Sequence, residues 1–198
     1  MAAVPFPREI VAPANDAGDF GRPRADDILL PFTDTKIETA YHYWCAKAGT
    51  RAMPPRAEID PAEIPKLLPD VMLVDVLPER RYRYRLVGTG NARGHLVNAT
   101  GQYLDEVLAG TGFKAHVLGL YDQCVGARRP LYSEYLFRSP DDPPIERYSK
   151  VLFLPLSQDG ITVNIVFVLR IVICADPATH EGQVLDTRPY RQVVHTLL

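Results

Sequence analysis

The stretch Ile161-Thr162-Val163-Asn164-Ile165-Val166-Phe167-Val168-Leu169-Arg170-Ile171-Val172-Ile173 decides the fold. It is apolar and β-branched almost without interruption and has no helical period. Such a run calls for apolar cover on both faces, which marks a strand in the middle of a sheet. Upstream, Arg81-Tyr82-Arg83-Tyr84-Arg85-Leu86 alternates charge with bulk, as suits a strand with one wet face or an edge guarded by charge. Arg80, Arg81, Arg83 and Arg85 are accounted for as the solvated side of that strand. The chain therefore holds a sheet with a distinguishable middle and edge.

The other elements fall around these two. Thr35 with Glu38 three residues on gives a capping-box signature, and Ile37, Tyr41, Trp44 and Ala48 recur at helical spacing until Gly49. Asp60-Pro61 followed by Glu63 is a second helix start, with Asp60 as cap and Glu63 reaching back to its amide; Pro65 and Pro69 keep that helix short. Val71 to Leu77 and Arg81 to Val87 form an antiparallel hairpin. Short helices are expected at Asn91 to Val97 and Leu104 to Leu108, then a longer one near Phe113 to Gly126. Its stripe Phe113, Val117, Leu120, Cys124 faces the sheet. Leu131 to Arg138 and Arg147 to Leu156 precede the central run, which Gln158-Asp159-Gly160 joins as a turn. Tyr190 to Leu198 reads as a final helix.

At 198 residues the chain suits one principal core. Residues 1–30 are rich in Pro and Gly and read as a flexible N-terminal tail; 31–175 form the domain and 176–198 a C-terminal extension. A net charge of -2 and a pI near 6.2 leave no footprint for nucleic acid. The early residues lack the apolar core of a signal peptide and the central run is too short to span a bilayer, so no membrane role and a cytoplasmic location are expected. Cys45, Cys124 and Cys174 are far apart and read as reduced core thiols. His42 and Cys45 share a helical face without further ligands nearby, so no metal site is expected. There is no Gly-x-Ser-x-Gly turn and no other catalytic signature, and the chain reads as a non-enzyme.

Particular phrases resemble a bacterial stand-alone PAS-like family widespread in alphaproteobacteria. They are Tyr43-Trp44, Met53-Pro54 with Arg56, Ile59-Asp60-Pro61, Ile64-Pro65 with Leu68-Pro69, Tyr82 through Thr89, Thr100-Gly101 with Tyr103-Leu104-Asp105, and Leu154-Pro155-Leu156 with Asp159-Gly160. Together they cover about residues 33 to 170. The resemblance implies an α+β fold with a five-stranded antiparallel sheet of order 2-1-5-4-3, short helices on one face and an N-terminal amphipathic helix. In that order the last strand is central and the second is an edge, in agreement with the independent reading of the two stretches above; the third is the other edge.

The function the resemblance implies is sensing. A small ligand sits between sheet and short helices, and its arrival changes contacts with a partner protein or a second copy of the chain. Under this reading the ligand-binding residues are Tyr84, Leu86, Leu104, Val117, Leu120, Phe153 and Asn164, with Asn164 as a polar anchor. A buried amide satisfied by backbone within a filled core explains Asn164 equally well. Ile37, Tyr41 and Trp44 either cover the outer sheet face or form a homodimer interface. His95 lies where some PAS proteins hold a haem ligand, although a surface helix position accounts for it as well. The alternatives are a protein-interaction or dimerisation module with no ligand and, further off, a small hydrolase or isomerase.

Overall fold

Strand β5 (Ile165–Cys174) lies between β1 (Val71–Val76) and β4 (Glu146–Leu156), antiparallel to both. The computed structural model describes residues 34–94, 99–108, 111–138, 146–174 and 190–198. The register explains why the central run is apolar on both sides. Leu73, Phe167 and Leu154 stand in one cross-strand row on one face, and Met72, Val168 and Phe153 stand in the adjacent row on the other. All six are buried. Each such side chain contributes about 1.5–3 kcal/mol by leaving water.

With β2 (Tyr82–Val87), β3 (Leu131–Arg138) and β6 (Tyr190–Leu197), the full order is β2-β1-β5-β4-β3-β6. The expected order 2-1-5-4-3 is present, and β6 extends it by pairing antiparallel with β3. The third strand is therefore covered on both sides instead of forming an edge. The reading of Tyr190 to Leu198 as a helix is corrected by the same pairing. Val193-Val194 is β-branched, and an unpaired row of β3 backbone groups offers a ladder that an isolated helical turn cannot match.

Helix α1 (Thr35–Ala48) begins one residue earlier than its sequence signature. Asp34, not Thr35, is the cap, accepting from the amides of Lys36 at 2.9 Å and Ile37 at 3.5 Å. Gly49 closes it at φ 57°, a conformation that costs glycine little. Its buried side is Ile37, Ala40, Tyr41, Trp44 and Ala48, and Trp44 Nε1 donates to the Pro155 carbonyl of β4 at 2.9 Å. Asp34 also faces Lys150 at 4.0 Å. Lys150 and its neighbour Val151 point to opposite faces of β4, so α1 lies across one face of the sheet while the helices after β2 cover the other.

Between α1 and β1 the chain makes short 3-10 turns at Arg56–Glu58, Pro61–Glu63 and Leu68–Asp70. Asp60 caps the second by accepting from Ala62 N at 2.9 Å, as its sequence suggests. Glu63 does not return to the cap amide: it accepts from the Tyr43 hydroxyl at 2.8 Å and pairs with Lys47 at 2.7 Å, while Tyr43 Oη accepts from Asp60 N. These turns are thereby tied to α1. Helices α2 (Thr89–Gly94), α3 (Leu104–Val107) and α4 (Thr111–Ala127) follow β2.

Candidate functional site

The side of the sheet under α3 and α4 holds a cavity of about 30 Å³. Met72, Tyr84, Tyr135, Val151, Phe153, Val168 and Arg170 line it from five strands; Phe113, Val117 and Tyr121 of α4 and Leu108 after α3 close it. A water needs about 10–15 Å³ of such space, so the cavity has room for about two. The wall is apolar apart from one guanidinium and three phenols.

Aromatic contacts fix α4 to the sheet over this space. Tyr121 meets Phe153 edge-on with centroids 5.0 Å apart, and Tyr135 is met by Phe113 at 5.9 Å and His116 at 5.2 Å. Tyr82, one strand position pair away from Tyr84, donates its hydroxyl to Asp122 at 2.6 Å. On β2 the segment 101–103 lies alongside the strand: Tyr84 N donates to Gln102 O at 2.9 Å and Gly101 N to Tyr84 O at 2.6 Å. Arg81 stacks over Tyr103 at 3.5 Å and pairs with Asp105 and Glu106 of α3. The edge strand is thus partly sealed, and Tyr84 is held by its own backbone.

Arg170 is the one charged side chain in the wall, only 6 % exposed, and its Nε donates to Ser149 Oγ of β4 at 3.2 Å. Burial pushes the Tyr84 and Tyr121 hydroxyls far above the usual phenol range, with the Arg170 charge opposing the shift. The Tyr84, Tyr121 and Tyr135 oxygens also influence one another electrostatically. At neutral pH Tyr84 and Tyr121 are therefore neutral phenols near a guanidinium.

Tyr84, Val117 and Phe153 stand in the cavity wall. Leu104 and Leu120 are buried core residues and do not line the cavity. Leu86 and Asn164 require correction. The register slips between Leu73 and Val74, so Leu73 opposes Leu86 while Val74 opposes Tyr84, and Arg85 is the extra residue of a bulge. That insertion turns Leu86 to the face opposite Tyr84, where it is 43 % exposed. Arg83 and Arg85 share that outer side and hold the buried Asp75 carboxylate at 2.9 and 2.6 Å.

Asn164 precedes β5 and is exposed. Its Oδ1 accepts from Gln158 N at 3.1 Å, clamping the β4–β5 connection. Asp159 organises the same loop by accepting from Ile161 N at 2.8 Å, Thr162 N at 2.6 Å and Ser157 Oγ at 2.8 Å, so Ile161 and Thr162 serve the turn, while the Asn164 backbone donates to Leu156 O at 3.0 Å and accepts from Val76 N at 2.9 Å at the start of β5. Ile37, Tyr41 and Trp44 are buried against the chain's own sheet and do not present an intermolecular surface. His95 lies outside the described residues.

Arg170, Tyr121 and Tyr135 were missed as site residues. The signal for Arg170 was present, a lone cation in an apolar strand, because a charge kept in such a run calls for a specific environment. Among the described residues there is no group of three His, Cys, Asp or Glu side chains placed to hold a metal ion. Among them, too, no helix is long and apolar enough to cross a membrane.

An antiparallel sheet in which the last strand of a 2-1-5-4-3 set is central, with short helices on one face, defines the α+β PAS-like fold. Residues 33–100 match the family model described as a PAS domain. The matched part runs from α1 through β2 into α2, so it contributes Met72 and Tyr84 to the cavity, while the other wall residues lie beyond it. No curated protein and no solved structure matches the chain. PAS domains are in general sensory or regulatory modules.

Proposed function

We propose that this chain is a sensory or regulatory PAS-type module that holds a small molecule between β5 and α4 and passes its presence on through protein contacts. The observation that supports this most is the placement of Arg170 in the wall of an otherwise apolar cavity. A guanidinium costs free energy to bury, and a polar anchor within an apolar lining is the usual make-up of a small-ligand site. Its position on the central strand, paired directly with β4, gives a guest a route to the sheet. PAS domains are typically without enzymatic activity, and the reading gives this one a binding role in the cytoplasm.

A second reading has a specific observation in its favour. A cavity of about 30 Å³ is far below the roughly 300–1,000 Å³ of ordinary ligand pockets, as expected of an interaction module with a side-chain-filled interior. Native mass spectrometry of freshly purified protein separates the two. Reproducible added mass that is lost on denaturation, with a thermal shift from one member of a metabolite panel, is the expected result. A clean apo mass with no thermal response overturns the sensing proposal. Because α1 is engaged with its own sheet, any homodimer uses another surface; the outer side of β2, with exposed Leu86 beside Arg83 and Arg85, is the proposed contact.

A further inference from the structure

We propose that the tip of the β1–β2 hairpin and the end of α4 form a docking surface for an acidic segment of a partner protein, held by Arg80 and Arg128. This rests on the protein-contact reading above and adds the surface and the chemistry of what meets it.

Among the described residues, the non-glycine positions with positive φ are Glu79 at 61°, Arg80 at 56° and Arg128 at 56°. They gather at one end of the fold. Arg80 Nη1 and Nη2 both lie 3.7 Å from where a Cβ on Gly126 would stand, and Arg128 follows Gly126 by two residues. Glu79 and Arg80 are the central pair of the hairpin turn, in which Arg81 N donates to Pro78 O at 3.3 Å and Leu77 N to Arg81 O at 2.9 Å. Asparagine and glycine hold such a pair at little cost. Arg128 stands just past α4, its amide donating to Cys124 O at 2.9 Å, in the position that helices usually give to glycine. The negative end of the α4 dipole favours a cation here, but a basic residue at an unstrained neighbouring position would serve it equally.

Both arginines are exposed, and among the described residues neither makes an ion pair or a side-chain hydrogen bond. The neighbouring arginines differ. Arg81 is paired with Asp105 and Glu106, Arg83 and Arg85 with Asp75, and Arg129 donates to Leu198 O at 3.1 Å. Of the acids on the same elements, Asp122 accepts from the Tyr82 hydroxyl and Glu79 forms no ion pair among the described residues. Two guanidiniums without counter-ions select carboxylates. The net charge of -2 disfavours nucleic acid, and a lipid surface calls for a cluster of about four to eight basic residues, whereas Arg81 and Arg129 are already engaged. A protein segment rich in Asp or Glu is the occupant that remains.

The placement suits a signal. α4 roofs the cavity with Phe113, Val117 and Tyr121, and Asp122, beside Tyr121, is tied at 2.6 Å to Tyr82 at the foot of the same hairpin. A guest that moves α4 therefore moves Arg128 relative to Arg80.

The test is an NMR titration of the full chain, following backbone amides and arginine Nε–H signals, with a ten-residue peptide of alternating Glu and Ala and its Gln-for-Glu counterpart. The Glu peptide is expected to shift signals of residues 78–82 and 124–129 with a Kd on the order of millimolar at low salt, weakening several-fold on addition of about 0.2 M sodium chloride. The Gln peptide should bind at least tenfold more weakly. Arg80→Gly and Arg128→Gly, which put glycine where φ is positive, should each keep or raise the thermal midpoint and weaken the Glu peptide at least threefold. Equal binding of the two peptides, shifts centred on Arg83 and Arg85 instead, or undiminished binding by both variants overturns the proposal. A midpoint lowered in both variants assigns the arginines to the stability of the fold and overturns it as well. So does a Glu peptide that fails to bind, while the sensing reading is judged separately by the native mass.

Discussion

Trp44 Nε1 donates to the backbone carbonyl of Pro155 at 2.9 Å, joining the middle of α1 to the end of β4 across 111 residues of chain. The β3 ladder on β4 ends at Phe153, so Pro155 lies past it, and the indole N–H meets its carbonyl there. The indole itself is 1 % exposed. This bond assigns the aromatic stripe of α1 to the domain's own core.

Trp44→Phe should therefore lower stability by about 1–3 kcal/mol, the cost of leaving a buried acceptor unmet, and Trp44→Ala by about 3–5 kcal/mol through the cavity it opens. Urea unfolding measures both. Light scattering at matched concentration should show the same oligomeric state for folded Trp44→Phe as for wild type. A change of state would return this residue to an intermolecular role.

Gly88 closes β2 where the chain turns into α2, and a Cβ there would lie 2.4 Å from Leu68 O, 2.5 Å from Pro69 O and 2.7 Å from Val71 O. These are backbone atoms and cannot rotate away. Gly88 N also donates to Val71 O at 2.8 Å, so the two segments cannot separate without losing that bond. Gly88→Ala is expected to cost about 1–3 kcal/mol in thermal or urea unfolding. An unchanged midpoint would mean that this approach is looser than described.

Asp159 accepts from the Thr162 and Ile161 amides and from the Ser157 hydroxyl, which holds its carboxyl well below the usual carboxylate range. The folded value is lower than the unfolded one. Its contribution is therefore complete above the unfolded carboxylate value of about 3.9 and is lost as pH falls from there through the folded value. Following the Thr162 amide by NMR should give a titration midpoint clearly below that of an ordinary Asp, and Asp159→Asn should remove the step. A midpoint near 3.9 would contradict the bonding described.

Burial raises the Cys124 thiol far above its usual range, and the residue is fully buried in α4, whereas Cys45 is partly exposed. The thiolate is the nucleophile, so iodoacetamide at pH 8 should label Cys45 in the folded protein and Cys124 only in denaturant. Peptide mapping by mass spectrometry reads this directly. Equal labelling of the two would show that α4 opens readily.

The middle of the sheet was legible because two-sided burial leaves an unambiguous mark: Val166, Phe167, Val168 and Leu169 alternate between faces and all are apolar. Other features left weaker marks. A bulge has no compositional signature strong enough to separate Arg85 from its neighbours, so simple alternation put Leu86 beside Tyr84. Asn164 belongs to the same apolar stretch as β5, and only the bond its side chain accepts from Gln158 N ties it to the turn. The stripe Ile37, Tyr41, Trp44 has the same periodicity whether it covers its own sheet or another subunit. For β6, a short segment with two valines among polar residues takes its form from the open edge of β3, a tertiary effect that local propensity does not carry.

The central claim is that a guest molecule lodges between β5 and α4 beside Arg170. A crystal structure of protein purified without added ligand, inspected for density in that space before anything is built there, tests it most directly. Discrete density of a bound molecule beside Arg170, against Tyr84 and Tyr121, is expected. Side chains closed over the space, leaving no density between them, would contradict it.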